Sequence, residues 1–111
     1  MSVIKSGGSY KIQLKGEDKV SGHCPSCDVL FNSVSELFSN NAVGVILTGM
    51  GDDGTRGLKK MHDRGAYVIG QEESSCVVYG MPKAAYTAGA VDIELHIKDI
   101  HKAILKAGGA E

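Results

Sequence analysis

Uninterrupted apolar runs at 42–48 and 66–71 constrain the fold of this chain more than any other feature. The runs read AVGVILT and AYVIGQ, and in neither do apolar side chains alternate with polar ones. That pattern is typical of parallel strands covered on both faces. A third strand is predicted at 91–95 (VDIEL), and helical patterns lie between the strands. The sequence therefore predicts half of a doubly wound, Rossmann-like α/β fold with a mostly parallel sheet.

Four segments show the apolar spacing of helices. The first predicted helix has Ser26 as its N-cap and ends at Asn40, and the second spans 55–64 before Gly65. A short third helix lies within 82–89, between a proline and a glycine, and a fourth follows the last strand. The apolar stripes consist of Leu30, Val34, Leu37 and Phe38 in the first helix, Leu58 and Met61 in the second, and Ile97, Ile100, Ile104 and Leu105 in the last.

The N-terminal segment predicts a β-hairpin with one solvated face. Apolar Tyr10, Ile12 and Leu14 alternate with polar residues after the turn sequence SGGS. Three parallel strands make a small sheet, and the apolar strand at 43–48 requires a neighbour on each side. We therefore expect residues 1–111 to be part of a domain whose sheet is completed by earlier residues or by another chain. The hairpin would then be a cut edge, and exposed sheet edges would favour self-association.

Bulk properties exclude several classes of protein. At 111 residues the chain is at most one domain, and its net charge of −1 provides no basic field for nucleic acid or anionic lipid. The longest apolar runs are too short for membrane insertion, and the start MSVIKSGGSY lacks the apolar core of a secretory signal. Three cysteines suit a reducing compartment better than a disulfide framework. We expect a small cytoplasmic globular unit.

The loop after the first parallel strand matches the dinucleotide pattern G-x-G-x-x-G at 49–54. Two carboxylates, Asp52 and Asp53, lie where the pyrophosphate would bind, and charges ~4 Å apart repel by a few kcal/mol at a protein surface. Asp53 could instead cap the following helix, or orient a catalytic base in the crevice at the carboxyl end of the sheet. The residues alone rank the cap first, catalysis second and nucleotide binding third.

The segment HCPSC raises the alternative of a metal or redox site. Cys24 and Cys27 have the C-x-x-C spacing of half a zinc site or of a redox dithiol, with His23 adjacent. A structural zinc needs four ligands, and the sequence holds no second pair of this kind. Cys76 is the only other thiol. We favour two ordinary thiols at a helix start over a reversible or adventitious disulfide, and rank a disulfide above metal binding; we expect no metal and no cofactor.

The remaining candidate residues favour structural roles. His62, His96 and His101 are predicted at helix edges or in solvent, whereas His23 lies in a long loop and could act as a surrogate base. Glu72 and Glu73 are expected to be solvated. In the loop after the second strand we expect three buried residues and a space-filling methionine, namely Cys76, Val77, Val78 and Met81.

Two motifs identify a family resemblance. LTGMGDDG at 47–54 and SCVVYGMP at 75–82, in this order and at this separation, resemble the catalytic domain of the chemotaxis protein-glutamate methylesterases, the CheB family. The segment HCPSCDVLFNSV at 23–34 is similar to the part just upstream in that family. The resemblance covers residues 22–105. It implies that 1–111 is the C-terminal portion of the catalytic domain, with a doubly wound sheet.

The resemblance implies an activity and two site residues. Members hydrolyse glutamyl methyl esters on methyl-accepting chemotaxis receptors and deamidate certain glutamines there, through a Ser-His-Asp triad. Asp53 matches the triad acid and Met50 the residue whose backbone N–H serves the oxyanion site. The resemblance also implies that the loop QEESSCVVYGMP at 71–82 helps shape the site and packs beside the Asp53 loop. The nucleophile and base motifs do not occur in these 111 residues and would precede Met1, so the chain alone is expected to be inactive. A non-catalytic receptor-interaction module is the alternative.

Overall fold

The computed structural model describes residues 2–13 and 27–108. The element order is β1 (Ser2–Ser6), β2 (Ser9–Gln13), α1 (Cys27–Phe38), β3 (Val43–Ile46), α2 (Thr55–Asp63), β4 (Tyr67–Gln71), a 3₁₀ turn (Glu73–Ser75), α3 (Met81–Thr87), β5 (Ile93–Leu95) and α4 (Ile97–Ala107). The predicted order of strands and helices is confirmed. The N-cap Ser26 and the residues Leu14, His23 and Cys24 lie outside the described residues.

Strands β3, β4 and β5 form a parallel sheet in that order. Val43 lies opposite Tyr67 and Ile46 opposite Gly70, and the second pair of strands begins with Ile69 opposite Ile93. Helices α2 and α3 make the two crossovers, as the α/β prediction requires. Within the part of the chain that the structure describes, β3 has a strand neighbour on one side only. In the same part, no helix combines the length and the apolar character needed to cross a bilayer.

The main core lies between α2, α3 and one face of the sheet. Leu58 and Met61, the predicted stripe of α2, are buried there with Ile46 and Val68. Gly44 permits this approach, because a Cβ on it would lie 2.8 Å from Leu58 Cδ2. The alanines of the cluster are Ala66, Ala85 and Ala90.

Helix α4 packs against β4 with less burial than its sequence suggests. Ile100 is buried, as is Ile69, which alternation along β4 places on the face opposite Val68. The other members of the predicted stripe, Ile97, Ile104 and Leu105, are at least 40% exposed in the structure as described. The sheet therefore carries helices on both faces, and the second face is only partly covered.

The N-terminal hairpin is confirmed, whereas its expected dry face is not. Ser6 lies opposite Ser9 across the turn, and the N–H of Val3 donates to Ser33 Oγ of α1 at 2.8 Å. The Tyr10 ring lies 4.7 Å from that of Phe38. Ile12, on the same face as Tyr10, is 67% exposed because no described element packs over it.

Helix α1 buries polar residues beside its apolar stripe. Val34 of the predicted stripe packs against the core together with Phe31, but the most buried side chains of this helix are Asp28 and Ser35. Burial of a polar group requires a hydrogen-bond partner. Ser35 Oγ donates to the carbonyl of Asn32 at 2.7 Å, and Asp28 accepts a bond from α2. Both groups therefore stay satisfied while α1 packs closely on α2.

Candidate active site

Asp53 lies in the loop between β3 and α2, at the carboxyl end of the sheet. Its side chain is buried, with 6% of its surface exposed. Its Oδ2 accepts the backbone N–H of Cys27 at 2.8 Å, and its Oδ1 accepts that of Asp28 at 3.3 Å. Asp53 therefore holds the first turn of α1, where unpaired N–H groups and the positive end of the helix dipole favour a carboxylate.

The first-ranked interpretation of Asp53, that it caps the following helix α2, is wrong. The N-cap residue of α2 is Gly54, in a left-handed conformation with φ 96° and with no side-chain cap bond. The N–H of Gly57 in the first turn of α2 donates instead to Asp28 Oδ1, at 2.7 Å. Asp53, which precedes α2, thus accepts N–H groups of α1, whereas Asp28, within α1, accepts an N–H group of α2. This exchange is possible because α1 and α2 begin side by side. Sequence spacing cannot reveal this exchange.

Glycines let the chain turn sharply around Asp53. Gly51 has φ 85° and Gly54 has φ 96°, values that residues with a Cβ rarely adopt. Gly54 also faces the helix that Asp53 caps, since a Cβ there would lie 3.1 Å from the Phe31 ring. The glycines of the 49–54 motif therefore allow the backbone turns on either side of the Asp53 carboxylate.

Six hydrogen bonds hold Thr48 and Gly49, the two residues before Met50. The Thr48 hydroxyl donates to the Val78 carbonyl at 3.0 Å and accepts the Val78 N–H at 2.8 Å. The Gly49 N–H donates to the same carbonyl, and the Gly49 carbonyl accepts the N–H groups of Gly80 and Met81. The sixth bond runs from the Thr48 N–H to Gln71 Oε1, at 2.6 Å. Thr48 and Gly49 therefore anchor residues 48–51, here called the Met50 turn, to residues 78–81 and to the Gln71 side chain.

Met50 directly follows these two hydrogen-bonded residues. No hydrogen bond among the described residues uses its N–H, and its side chain is 78% exposed. A donor that is held in position and has no internal acceptor suits an oxyanion site, because it needs no reorganisation when negative charge develops. The structure brings the Met50 turn and Asp53 together within one loop of the β3 end.

Residues 76–80, here called the rim loop, lie beside the Met50 turn. Gly49 and Tyr79 form a parallel bridge, and a Cβ on Gly80 would lie 2.6 Å from the Gly49 carbonyl oxygen. The expected burial of Val77 and Val78 is wrong, since Val77 is 91% exposed and Val78 is also exposed. The reason is that the rim loop pairs through its backbone beyond the strand ends, where no described element covers the side chains of Val77 and Val78.

Acidic residues surround the side of the rim loop that faces the sheet. The Tyr79 hydroxyl donates to the Glu94 carboxylate, and burial together with this carboxylate raises the pKa of Tyr79. Burial and the nearby Glu94, Glu73 and Glu72 also raise the pKa of the Cys76 thiol. Both groups are neutral at physiological pH, so neither can serve there as an anionic nucleophile.

Sequence reasoning missed three residues that support this loop: Asp28, Thr48 and Gln71. The sequence signal for Gln71 is a polar residue directly at the end of a predicted buried strand. In the structure this residue is 2% exposed. Asp28 in the first helical turn is typical of a dipole contact and did not indicate a second helix.

The described histidines have structural roles. His62 lies at the far end of α2 from Asp53, and its Nε2 is 3.2 Å from Asp92 Oδ1. His96 is the N-cap of α4, with Nδ1 accepting the Lys98 N–H. His101 is exposed on α4, as its predicted place beside the stripe requires.

The fold disfavours the thiolate form of Cys27. Burial and the carboxylates of Asp53 and Asp28 raise its pKa from 9.0 to about 11, although a helix N-terminus ordinarily lowers a thiol pKa. In residues 2–13 and 27–108, no cluster of three or more His, Cys, Asp or Glu side chains could hold a metal ion. Cys27 and Cys76 are free thiols.

Cys27 is expected to react slowly with iodoacetamide. In a variant that retains only this cysteine (Cys24→Ser, Cys76→Ser), alkylation at pH 8 should be about a hundredfold slower in the folded chain than in urea, because the raised pKa lowers the thiolate fraction. Adding Asp53→Asn should accelerate it. Because the folded pKa exceeds the unfolded one, this thiol contributes stability below pH 9.0 that is lost as the pH rises towards about 11. Equal rates in folded and unfolded chain would contradict the assignment.

A separate cavity lies at the opposite end of the strands. It has a volume of about 340 Å³ and is lined by residues that include Asn41, Gly65 and Tyr67. Among its described lining residues, Tyr67 is the only titratable one.

Comparisons with known proteins identify the family of this chain. The family model described as CheB methylesterase matches residues 1–104. The chain is 50% identical over 106 residues to protein-glutamate methylesterase/protein-glutamine glutaminase 2 of Syntrophomonas wolfei, covering 96% of this chain and 31% of that protein. It is 57% identical over 94 residues to protein-glutamate methylesterase/protein-glutamine glutaminase of Agrobacterium fabrum, covering 85% of this chain and 27% of that protein.

A solved structure shows the same architecture. The CheB methylesterase catalytic domain of Thermotoga maritima superposes with a TM-score of 0.91 at 31% identity, covering 95% of this chain and 56% of that domain. The chain thus spans about a third of the length of the curated relatives described above. Since the family model covers nearly the whole sequence, this chain belongs to the CheB methylesterase family.

Proposed function

We propose that residues 1–111 are the C-terminal, acid-bearing portion of a cytoplasmic protein-glutamate methylesterase and glutamine deamidase that acts on methyl-accepting chemotaxis receptors. The proposed reaction is the one that the names of the relatives state. Because the chain covers only 31% and 27% of these relatives, we take it to be part of a domain. The two free thiols agree with a reducing compartment. The single observation that carries the proposal is the buried Asp53 carboxylate, held at the carboxyl end of the sheet by two main-chain donors.

In this proposal Asp53 orients a histidine base supplied by the rest of the domain. The N–H donors of Cys27 and Asp28 fix the plane of this carboxylate, and an oriented carboxylate is the acceptor that a histidine ring N–H requires. The charged carboxylate would hold the imidazole in one tautomer and stabilise the imidazolium that forms when a serine hydroxyl gives up its proton. Asp53 itself would stay ionised throughout.

Met50 would bind the carbonyl oxygen of the ester or amide under attack. Attack of the serine on the ester carbonyl converts its oxygen into an oxyanion, to which the Met50 N–H would donate. Collapse of this intermediate releases methanol from a methyl ester or ammonia from a glutamine side chain, and water then hydrolyses the acyl-enzyme. The bonds at Thr48 and Gly49 support this role, since a donor helps only if it is already aimed.

The test is reconstitution of activity. This chain is exchanged for the matching part of the Thermotoga maritima domain, giving what is called here the chimeric domain, and methanol release from methylated receptor is measured. The isolated chain is expected to release none, and the chimeric domain, once its fold is verified by circular dichroism, is expected to turn over. Hydrolysis by the isolated chain that survives Asp53→Ala would contradict the proposal. Binding of receptor without hydrolysis by a folded chimeric domain would favour the interaction-module alternative.

We also propose that the open side of β3 pairs with a strand from the remainder of the domain. The solved domain is larger than this chain, and within the described residues β3 lacks a second neighbour. An exposed edge promotes pairing between copies until it is covered. The isolated chain is therefore expected to self-associate with rising concentration in sedimentation velocity, and the chimeric domain to remain monomeric. A monomeric isolated chain at all concentrations would argue against an open edge.

A further inference from the structure

The β3–β4 ladder ends one residue before Gln71. Ile46 lies opposite Gly70 in the last pair of the ladder, and beyond it the two strands separate. The N–H of Thr48 consequently has no main-chain partner on β4. Its acceptor is the side-chain oxygen of Gln71, at 2.6 Å. The side-chain amide of Gln71 thus takes the place of a further main-chain hydrogen bond between β3 and β4.

The other end of the Gln71 amide is fixed as well. Its Nε2 donates to the Ser75 carbonyl at 2.8 Å, in the 3₁₀ turn that follows β4. Ser75 is itself held, because its hydroxyl donates to the Glu72 carbonyl and accepts the N–H of Ile97 at the start of α4. The Gln71 side chain is 2% exposed, so water does not compete for these bonds. It is a rigid link between β4, α4 and the Met50 turn.

We infer that Gln71 is a positioning residue for the oxyanion donor, acting through Thr48 to aim the Met50 N–H. The inference rests on the proposed function, in which that N–H binds the developing oxyanion. The rim loop and the first residue of α3 hold Thr48 and Gly49 from one side, through Val78, Gly80 and Met81. Gln71 holds Thr48 from the sheet. Without Gln71, the hydrogen bonds between the Met50 turn and residues 78–81 would lose their support from the sheet and would open more often.

Gln71→Met tests this link, because methionine keeps the length of the side chain and removes its hydrogen bonds to Thr48 and Ser75. In the chimeric domain, kcat for methanol release is expected to fall about tenfold to a hundredfold, the effect of a misaimed group, with KM changed less than twofold. The apparent pKa of the base in the pH–rate profile is expected to stay constant, because Asp53 is untouched. A Gln71→Met domain with unchanged kcat would overturn the inference.

A second measurement does not depend on activity. In the 111-residue chain, the ¹⁵N order parameter of Met50 is expected to be about 0.85 and to fall below about 0.6 in Gln71→Met. Exchange protection is expected to be lost at Gly49 and Met81, whose acceptors are not Gln71. Loss of protection confined to Thr48 would mean a merely local hydrogen bond and would overturn the inference. If the unsubstituted chimeric domain is inactive, the proposed function fails while this experiment still decides the role of Gln71.

Two further variants separate positioning from general stability. Ser35→Ala removes a buried side-chain hydrogen bond within α1, so it is expected to lower the melting temperature without changing Met50 order or kcat. Gln71→Glu keeps an acceptor oxygen for Thr48 but replaces the donor to the Ser75 carbonyl with a second acceptor, so the Met50 order parameter is expected to fall only part of the way, to between about 0.85 and about 0.6. A Met50 order parameter below this range in Gln71→Glu, or any loss of Met50 order in Ser35→Ala, would contradict the assignment.

Discussion

Replacing Asp53 with asparagine in the chimeric domain is expected to lower kcat on the order of 10⁴-fold, the loss seen when a triad aspartate becomes an amide. The asparagine carbonyl can still accept the Cys27 N–H, so the first turn of α1 and the fold should survive. What is lost is the negative charge, and with it the preferred tautomer of the histidine and the stabilisation of the imidazolium. Methanol release from methylated receptor measures the effect.

The neighbouring acid provides the matched control. Asp52 lies one residue earlier in the same loop and is exposed, so Asp52→Asn removes the same charge without touching α1. It is expected to leave kcat within about twofold, since exposed charges are strongly screened. A third variant, Asp53→Ala, should also destabilise the domain by about 1–2 kcal/mol, because the N–H groups of Cys27 and Asp28 lose their acceptor. Equal effects of the two asparagine variants would rule out a specific role for Asp53.

Gly80→Ala is expected to have the second large effect. The added Cβ would lie 2.6 Å from the Gly49 carbonyl oxygen and 3.1 Å from Met50 Cα, and backbone atoms cannot move aside as a flexible side chain does. Overpacking of this kind costs about 1–3 kcal/mol. Since the displaced atoms carry the oxyanion donor, kcat should fall about a hundredfold as well.

A glycine in open space controls for the change of residue type. Gly8 lies in the β1–β2 turn, and a Cβ there would have no atom within 4 Å. Gly8→Ala should therefore leave both the urea midpoint and kcat close to those of the unsubstituted chimeric domain. If Gly80→Ala behaves in the same way, the close packing of the rim loop on the Met50 turn is not present in solution.

The elements of the fold were predictable because each has a local signature. Continuous apolar runs at β3 and β4 specified a parallel sheet, and helical spacing at Leu58 and Met61 identified the buried face of α2. Where the prediction failed, local patterns carried no information about what lies opposite. Val77 has the composition of a core residue, but it follows a strand end and remains 91% exposed.

The sequence by itself determined that a glycine-rich turn with an acid follows a buried parallel strand, and hence that Asp53 lies at the carboxyl edge of the sheet. Only the tertiary structure decided what that acid holds. Its donors, Cys27 and Asp28, are 26 and 25 residues away, and Gln71 reaches Thr48 across 23 residues. Strand and helix periods arise from backbone geometry within a few residues, so a sequence displays them directly. Hydrogen bonds between distant segments depend on how helices and strands pack, and that becomes visible only when the chain is folded.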